Sequence, residues 1–306
     1  MTYYPKNLYH KTVVLFFLPV YNEVRKEAYM KIAIVADSTA VMGEVTDKDL
    51  YSIPLKIIFD QKSFEDGIDL SQDDFFELLE TSSDLPTTSQ PAIGEVEVVF
   101  KDLLKSYDHV IYITLSSKIS GTYDSGMMAR QLVDESRVTV IDSLSTSIIQ
   151  KLMVTDALKM VKEKKSIEDI KIHLELLRKR FEIYLVVDDL KHLFRTGRVS
   201  QTSASIGSML KIKPILKFID GQIDLYKKVR SVKKAHKSLV DLVEEADLQK
   251  GDYLMIAHAH GIEYAEALQK ELQKIYPDLH VGIDALSPVI SVHTGPKTIG
   301  VGWAKF

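Results

Sequence analysis

Three short polar clusters stand far apart along the chain: Pro86-Thr87-Thr88-Ser89-Gln90-Pro91, Ile119-Ser120-Gly121-Thr122-Tyr123 and His293-Thr294-Gly295-Pro296. Each is built largely from hydroxyls, glycine, proline or histidine. Hydroxyls and an imidazole can hold a small anionic head group without a strong fixed charge. Together they point to a carboxylate or phosphate site assembled from distant segments. Ser120 with His293 also meets the minimum inventory for a serine nucleophile and its base. The G-x-S-x-G elbow is missing, however, because Lys118 and Ile119 precede Ser120. Hydrogen bonding by Ser120 explains the same residues with fewer demands, and hydrolysis of acyl esters through Ser120 and His293 is the alternative.

Positioning such clusters takes alternating strands and helices. From Met30 onward the pattern is strand then helix, repeated. The periodicity predicts strands over 32–36, 52–59, 110–115 and 138–141. Helices are predicted from Ser71, from Pro91 with Ser89 or Gln90 as its cap, from Gly121 to about Asp134, and from Ser145 to about Lys164. Acidic Asp73 and Asp74 suit the first turn of the helix after Ser71, and Pro86 to Pro91 is predicted as a loop. Strands separated by helices imply parallel pairing and right-handed crossovers.

After the charged run Lys162-Glu163-Lys164-Lys165, helices are predicted over 167–180, 188–194, 200–210, 231–246 and 264–275. Strands are predicted over 182–187, 213–219, 222–229, 253–257, 279–284 and 299–304, with Asp220-Gly221 as the strongest hairpin signal. The expected fold is therefore α/β with two domains: residues 30–165 around a mainly parallel sheet, and residues 166–306 around a mixed sheet with helices. By the resemblance set out below, a ligand would sit between them. Polar segments Asp37-Ser38-Thr39, Ser116 to Thr122 and Asp142-Ser143 all follow predicted strands. In open α/β sheets, ligands bind at that end.

The 306 residues are 45% apolar and 27% charged, ordinary for a globular protein with a large core. A net charge of −4 argues against nucleic acid as a partner. The chain has no cysteine, which removes disulfides, thiolate metal sites and a cysteine nucleophile, and fits a reducing cytoplasm. The apolar run Thr12 to Val20 is too short to span a bilayer. The asparagines, Asn7 and Asn22, both precede Met30, and residues 1–29 read as an upstream extension. Stable membrane insertion is not expected, although transient membrane contact is compatible with the sequence.

His258-Ala259-His260 could set two imidazoles on one strand face, but no third metal ligand stands near it in sequence, and no metal site is expected. No Walker loop and no G-x-G-x-x-G occurs. The basic stretch Lys227, Lys228, Arg230, Lys233, Lys234 and Lys237 reads either as a solvated face or as a docking surface for an acidic partner or a nucleotide-bearing enzyme.

Several motifs in register resemble the DegV family. They are Asp37-Ser38-Thr39, Thr87-Thr88-Ser89-Gln90-Pro91, Ser116-Ser117 with Ile119-Ser120-Gly121-Thr122-Tyr123, Thr196-Gly197-Arg198-Val199-Ser200, Lys213-Pro214-Ile215-Leu216, and Ser287-Pro288-Val289 through His293-Thr294-Gly295-Pro296. Their order covers the chain from about Met30 to the C-terminus. The resemblance implies a two-domain α/β protein that encloses one long-chain fatty acid. It implies a non-catalytic binding subunit of a bacterial fatty acid kinase, serving phospholipid metabolism. Such a subunit presents the carboxylate to a separate catalytic protein, which brings ATP and Mg²⁺ and makes an acyl phosphate; the chain itself would need no cofactor. Carried over by motif, Thr88 and Ser120 would hydrogen-bond the carboxylate with His293 adjoining, and Ser89, Gly121, Thr122 and Thr294 would complete the site. Arg198 and Arg230 match basic positions that would support the site or the kinase contact. Lys297 departs from the family by standing where a glycine commonly follows the H-T-G-P motif, and Asp124-Ser125-Gly126 where glutamine, serine and alanine are usual.

Overall fold

The computed structural model describes residues 30–43, 45–82, 84–199 and 212–306. The extension over 1–29 and the helix expected over 200–210 lie outside the described residues.

Strand β1 (Ile32–Asp37) is buried along its whole length. It pairs in parallel with β2 (Leu50–Ile53) and β6 (His109–Thr114), and β6 pairs in parallel with β7 (Val138–Asp142). The unbroken apolar runs in β1 and β6 reflect cover on both faces. Helices α2 (Ile93–Leu103) and α3 (Thr122–Val133) pack on one face through Val96, Phe100 and Ala129. Helices α4 (Ser147–Lys162) and α5 (Ile167–Leu177) pack on the other through Met153, Ala157 and Leu174.

The second sheet has the order β10 (Gln222–Val229), β9 (Lys213–Ile219), β8 (Phe181–Val186), β13 (Ile299–Ala304), β11 (Tyr253–His258), β12 (Val281–Ala285). Its one parallel pair among the described residues is β11 with β12, so this sheet is mixed, as anticipated. Helices α7 (Val232–Glu245) and α8 (Ile262–Ile275) cover one face through Leu239, Val243 and Leu268. The hairpin turn falls at Asp220-Gly221, with φ of 49° and 83°. Those positive angles define the tight turn that suits strand twist.

A third, antiparallel sheet of β4 (Lys62–Glu65), β3 (Lys56–Phe59) and β5 (Thr87–Ser89) was not foreseen. The single strand expected over 52–59 is broken at Pro54-Leu55: its first part joins the parallel sheet and its second the small one. Proline lacks the N–H needed to continue a ladder. The loop expected over 86–91 contains β5, whose Thr88 pairs with Ile57. Neither Ser89 nor Gln90 caps the next helix. Ala92 is the N-cap, and its N–H donates to Glu95 Oε2 at 2.9 Å. A short α6 (Lys191–Thr196) ends at left-handed Gly197, slightly beyond the expected span. Helix α1 (Gln72–Thr81) begins after Ser71, as expected. Helix α9 (Pro288–Thr294) was not predicted, though Ser287 accepts from Ile290 N and Pro288 opens the first turn, which is a readable start signal.

Helix α4 occupies the centre of the molecule and contacts strands of both large sheets. Lys151 Nζ, in its second turn, meets Asp284 of β12 at 2.8 Å. At Gly302 of β13 a Cβ would stand 2.8 Å from Ile148 Cδ1, so α4 and β13 approach as closely as glycine permits.

Candidate ligand pocket

The pocket begins with three pieces of chain that hold their polar side chains by separate devices. Thr88 rides on β5, tied to β3. Arg195 Nη1 and Nη2 donate to Leu85 O at 3.0 Å and Pro86 O at 2.6 Å, fixing the approach to that strand. His293 lies in the last turn of α9. The start of α9 is seated by Asp66, whose carboxylate accepts from Val289 N at 3.2 Å and from Ser38 Oγ at 2.7 Å. Burial raises the pKa of Asp66, while these bonds oppose the shift. Ser120 lies in the turn after β6, where its N–H reaches Ser116 O at 3.2 Å.

These devices bring Thr88 Oγ1 to 2.8 Å from His293 Nε2. Ser120 Oγ lies 2.9 Å from Thr122 Oγ1 and accepts from Thr122 N at 3.3 Å. Gln90 Nε2 donates to Ser125 Oγ at 2.8 Å, and the Gln90 amide fills the space where a Cβ on Gly121 would go. The first and second clusters are thereby locked together, and glycine at position 121 has a packing reason. Arg198 Nε donates to Ile119 O at 3.3 Å, just before Ser120.

Thr88, Ser89, Ser120, Gly121, Arg198, His293 and Thr294 all line one cavity of about 310 Å³. Leu115 and Ile148 line it from the parallel-sheet unit, and Ile183, Leu185, Phe218 and Ala257 from the mixed sheet. Half of the lining residues are aliphatic or aromatic and most of the lining surface is apolar, a division typical of small-molecule sites. Thr294 satisfies its own hydroxyl on Ile290 O at 3.2 Å. Thr122 does not reach the wall; it is buried behind Ser120. Arg230 is exposed beyond β10 and is not among the described residues that line the cavity.

The electrostatics favour neutral donors around one cation. Burial first, then the charges of Arg198 and Arg195 and the nearby His192, hold the His293 pKa down to about 3. Its imidazole is neutral at physiological pH, and Nδ1 is buried with no partner among the described residues. Burial lowers the pKa of Arg198 as well, but a guanidinium stays charged in proteins. An anion arriving in the cavity would relieve that desolvated charge. Sequence reasoning missed Gln90 as a lock, Arg195 as a clamp, and Thr146, Ser147 and Thr298 as polar members of the wall. Only the Thr-Thr-Ser-Gln-Pro run signalled any of these.

The Ser–His pairing that a serine nucleophile needs is not made. His293 Nε2 is engaged by Thr88, and Ser120 by Thr122. A second cleft, of about 590 Å³, includes His236, His258 and His260. His258 Nδ1 accepts from Gly261 N at 3.3 Å, and the His260 ring lies 4.8 Å from that of Phe76. Among the described residues no three ligating side chains gather around a metal-sized site.

The comparisons agree with one another. A family model described as uncharacterised protein, DegV family, matches residues 31–305. A DegV domain-containing protein of Halalkalibacterium halodurans is 40% identical over 277 residues, spanning 89% of this chain and 98% of the relative. The crystal structure of DegV from Bacillus subtilis, described as a fatty acid binding protein, superposes with a TM-score of 0.81 at 36% identity, covering 90% of this chain and 100% of that one. A fatty acid binding DegV family protein from Streptococcus agalactiae gives 0.83 at 32% identity, covering 90% and 99%. With that fold, those motifs in register and a family match across nearly all the described residues, this chain belongs to the DegV family.

Proposed function

We propose that the protein encloses one long-chain fatty acid in the cavity between its two large sheets. The observation that carries this is one continuous wall, greasy over most of its area, that also contains Thr88, Ser120 and His293. Family membership and the fatty acid binding of the Bacillus subtilis and Streptococcus agalactiae relatives support it. A chain of roughly sixteen carbons buries about fourteen methylenes, a gross gain of about 11 kcal/mol at ~0.8 kcal/mol each. Lost ligand freedom offsets part of this. The tail thus supplies affinity, and the polar cluster sets which end goes where.

The carboxylate must be hydrogen-bonded once it leaves water. With its proton on Nε2, neutral His293 donates to Thr88 Oγ1, which frees the Thr88 proton for the ligand. The Ser120 hydroxyl, accepting from Thr122 N, likewise keeps its proton to give, and Arg198 supplies the countercharge. Ser89, Gly121 and Thr294 shape the rest of the head-group end, with Thr122 supporting Ser120 from behind.

The finer proposal is that residues 30–165 and 166–306 act as two domains that present the carboxylate to a separate fatty acid kinase. That partner holds ATP and Mg²⁺ and forms the acyl phosphate, so this chain is a binding subunit and not the catalyst. Exposed Arg230 and the neighbouring lysines offer the kinase a docking face. This role places the protein in the cytoplasm, with at most transient membrane contact. No described helix is long and apolar enough to cross a membrane.

Native mass spectrometry of freshly purified protein tests the binding. A mass in the fatty-acid range, released on denaturation, is expected. A protein that neither carries nor takes up a fatty acid refutes it. Acyl phosphate should form only when a fatty acid kinase and ATP are added. A p-nitrophenyl acyl ester should remain intact, whereas turnover lost in Ser120→Ala would establish the hydrolase instead.

A further inference from the structure

We propose that the start of α4 is a second hydrogen-bonding station in the cavity wall, and that it receives an oxygen carried along the acyl chain. The ligand class then includes oxygenated fatty acids, with a hydroxyl or keto group on the tail. This inference rests on the fatty-acid reading above and names the substrate class of the same cavity.

Thr146 is the N-cap of α4 and Ser147 its first residue, and both line the cavity. Their relative exposures are 7% and 5%, and among the described residues neither hydroxyl oxygen has a hydrogen-bond partner. A buried polar group left unpaired costs about 1–3 kcal/mol, so two adjacent ones need an explanation. An N-cap threonine ordinarily accepts from an N–H of the first turn. Thr146 makes no such bond. The 16-residue α4 therefore opens with no side-chain cap, leaving its first N–H groups and the positive end of its dipole without that partner. Two hydroxyls and these donors together make a site for an acceptor oxygen.

One side of this station reaches the turn that carries Ser120, where Ser116 N donates to Ser145 O at 2.8 Å. The start of α4 is anchored on the mixed sheet: Tyr253 Oη of β11 donates to Ile148 O at 3.0 Å, and Ile148 packs on Gly302 of β13. Thr88 and His293 are held instead by β3 and α9. The wall that carries the two hydroxyls also carries the aliphatic side chains of Ile148, Ile183 and Leu185. An unsubstituted tail leaves the two hydroxyls unpaired. An oxygen at the matching carbon satisfies them.

Ser147 also adopts φ 52°, a left-handed conformation that glycine would take at lower cost. Serine adds a hydroxyl there that the backbone geometry does not ask for. Glycine at 147 removes the hydroxyl and suits the backbone, and valine at 146 keeps the shape of threonine without its oxygen.

The test measures dissociation constants of delipidated protein for octadecanoic acid and for a positional series of hydroxy- and keto-octadecanoic acids. The readout is the ratio of the plain to the oxygenated constant, in wild type and in the Thr146→Val/Ser147→Gly pair. Thr146→Val alone guards against a double variant that does not fold. At least one position in the series should bind roughly tenfold tighter than octadecanoic acid to wild type, with the ratio falling to about one in the variants. Weaker binding of every oxygenated acid by wild type overturns the proposal. So does a preference that survives in the variants, which would mean that solvent satisfies the hydroxyls. Equal loss of plain and oxygenated acids in the variants also overturns it, by assigning α4 to the carboxylate. In each of these cases octadecanoic acid still binds wild type, and the fatty-acid reading stands. If wild type binds neither plain nor oxygenated acid, the underlying reading itself fails.

Discussion

In the cavity wall, Ser120 Oγ is bonded to Thr122 and, among the described residues, to no other side chain. Ser120→Ala should therefore leave the thermal midpoint of delipidated protein nearly unchanged. It should weaken fatty-acid binding by roughly tenfold or more, since hydrogen bonds to charged groups contribute about 1.5–3 kcal/mol. Titration with a fluorescent fatty acid measures this, and equal affinities would remove Ser120 from the site. His293 carries a second prediction. Its native pKa is held to about 3 against an ordinary 6.5. Between those values the unfolded chain takes up a proton that the native state refuses. This contribution to stability is full above 6.5 and is lost as pH falls toward 3. Asp37 works in the opposite sense: burial raises its pKa to about 6 from 3.8, so its contribution is lost as pH rises through that window. His293→Gln removes one term and not the other. Between about pH 7 and pH 4 the delipidated variant should lose less stability than wild type, by on the order of 3 kcal/mol. Urea unfolding at the two pH values reads the difference, and parallel losses would place the His293 pKa near its ordinary value.

Among the elements, the β9–β10 hairpin has the clearest sequence signature and the most testable tie. Ser116 Oγ donates to Gly221 O at 2.8 Å, linking the hairpin tip to the turn after β6. A Cβ at Gly221, with φ 83°, would stand 2.4 Å from Ser116 Oγ. Gly221→Ala should cost about 1–3 kcal/mol through backbone strain and the displaced serine. A thermal midpoint equal to wild type would show that the tie is not formed. The hairpin was legible because Asp-Gly between two apolar runs is a local signal. The alternation that builds the parallel sheet was legible for a similar reason, since each buried strand is a short apolar block such as Ile32 to Ala36. The small sheet was not: Lys62-Ser63-Phe64-Glu65 has no apolar periodicity, and β5 is three residues of threonine and serine whose strand character comes from pairing with β3. The polar clusters could be picked out by residue type. That Thr88 would meet His293, 205 positions away, follows from tertiary packing and from no local pattern. Thr146 and Ser147 escaped notice because Ser-Leu-Ser-Thr-Ser looks like an ordinary capping run. Only the fold shows that the Thr146 and Ser147 hydroxyls lack partners among the described residues.

Across the whole molecule, α4 decides how the two large sheets relate. Its buried residues include Ile148, Ile149, Met153 and Ala157, divided between the core under the parallel sheet and the core around the cavity. The Lys151–Asp284 pair adds a polar tie to the edge strand of the mixed sheet. A helix shared in this way leaves no seam along which the halves could part like a clamshell. Cargo bound as proposed would then have to pass the rim formed by the small sheet of β3, β4 and β5, which can open locally without breaking the common spine. Amide hydrogen exchange should show that rim gaining the most protection on lipid loading, with α4 slow in both states; equal slowing throughout the chain would instead signal jaws that swing as rigid bodies. The turnover of stored lipid would then be set by how often a small flap lifts, leaving the mainstay of the fold untouched through each cycle.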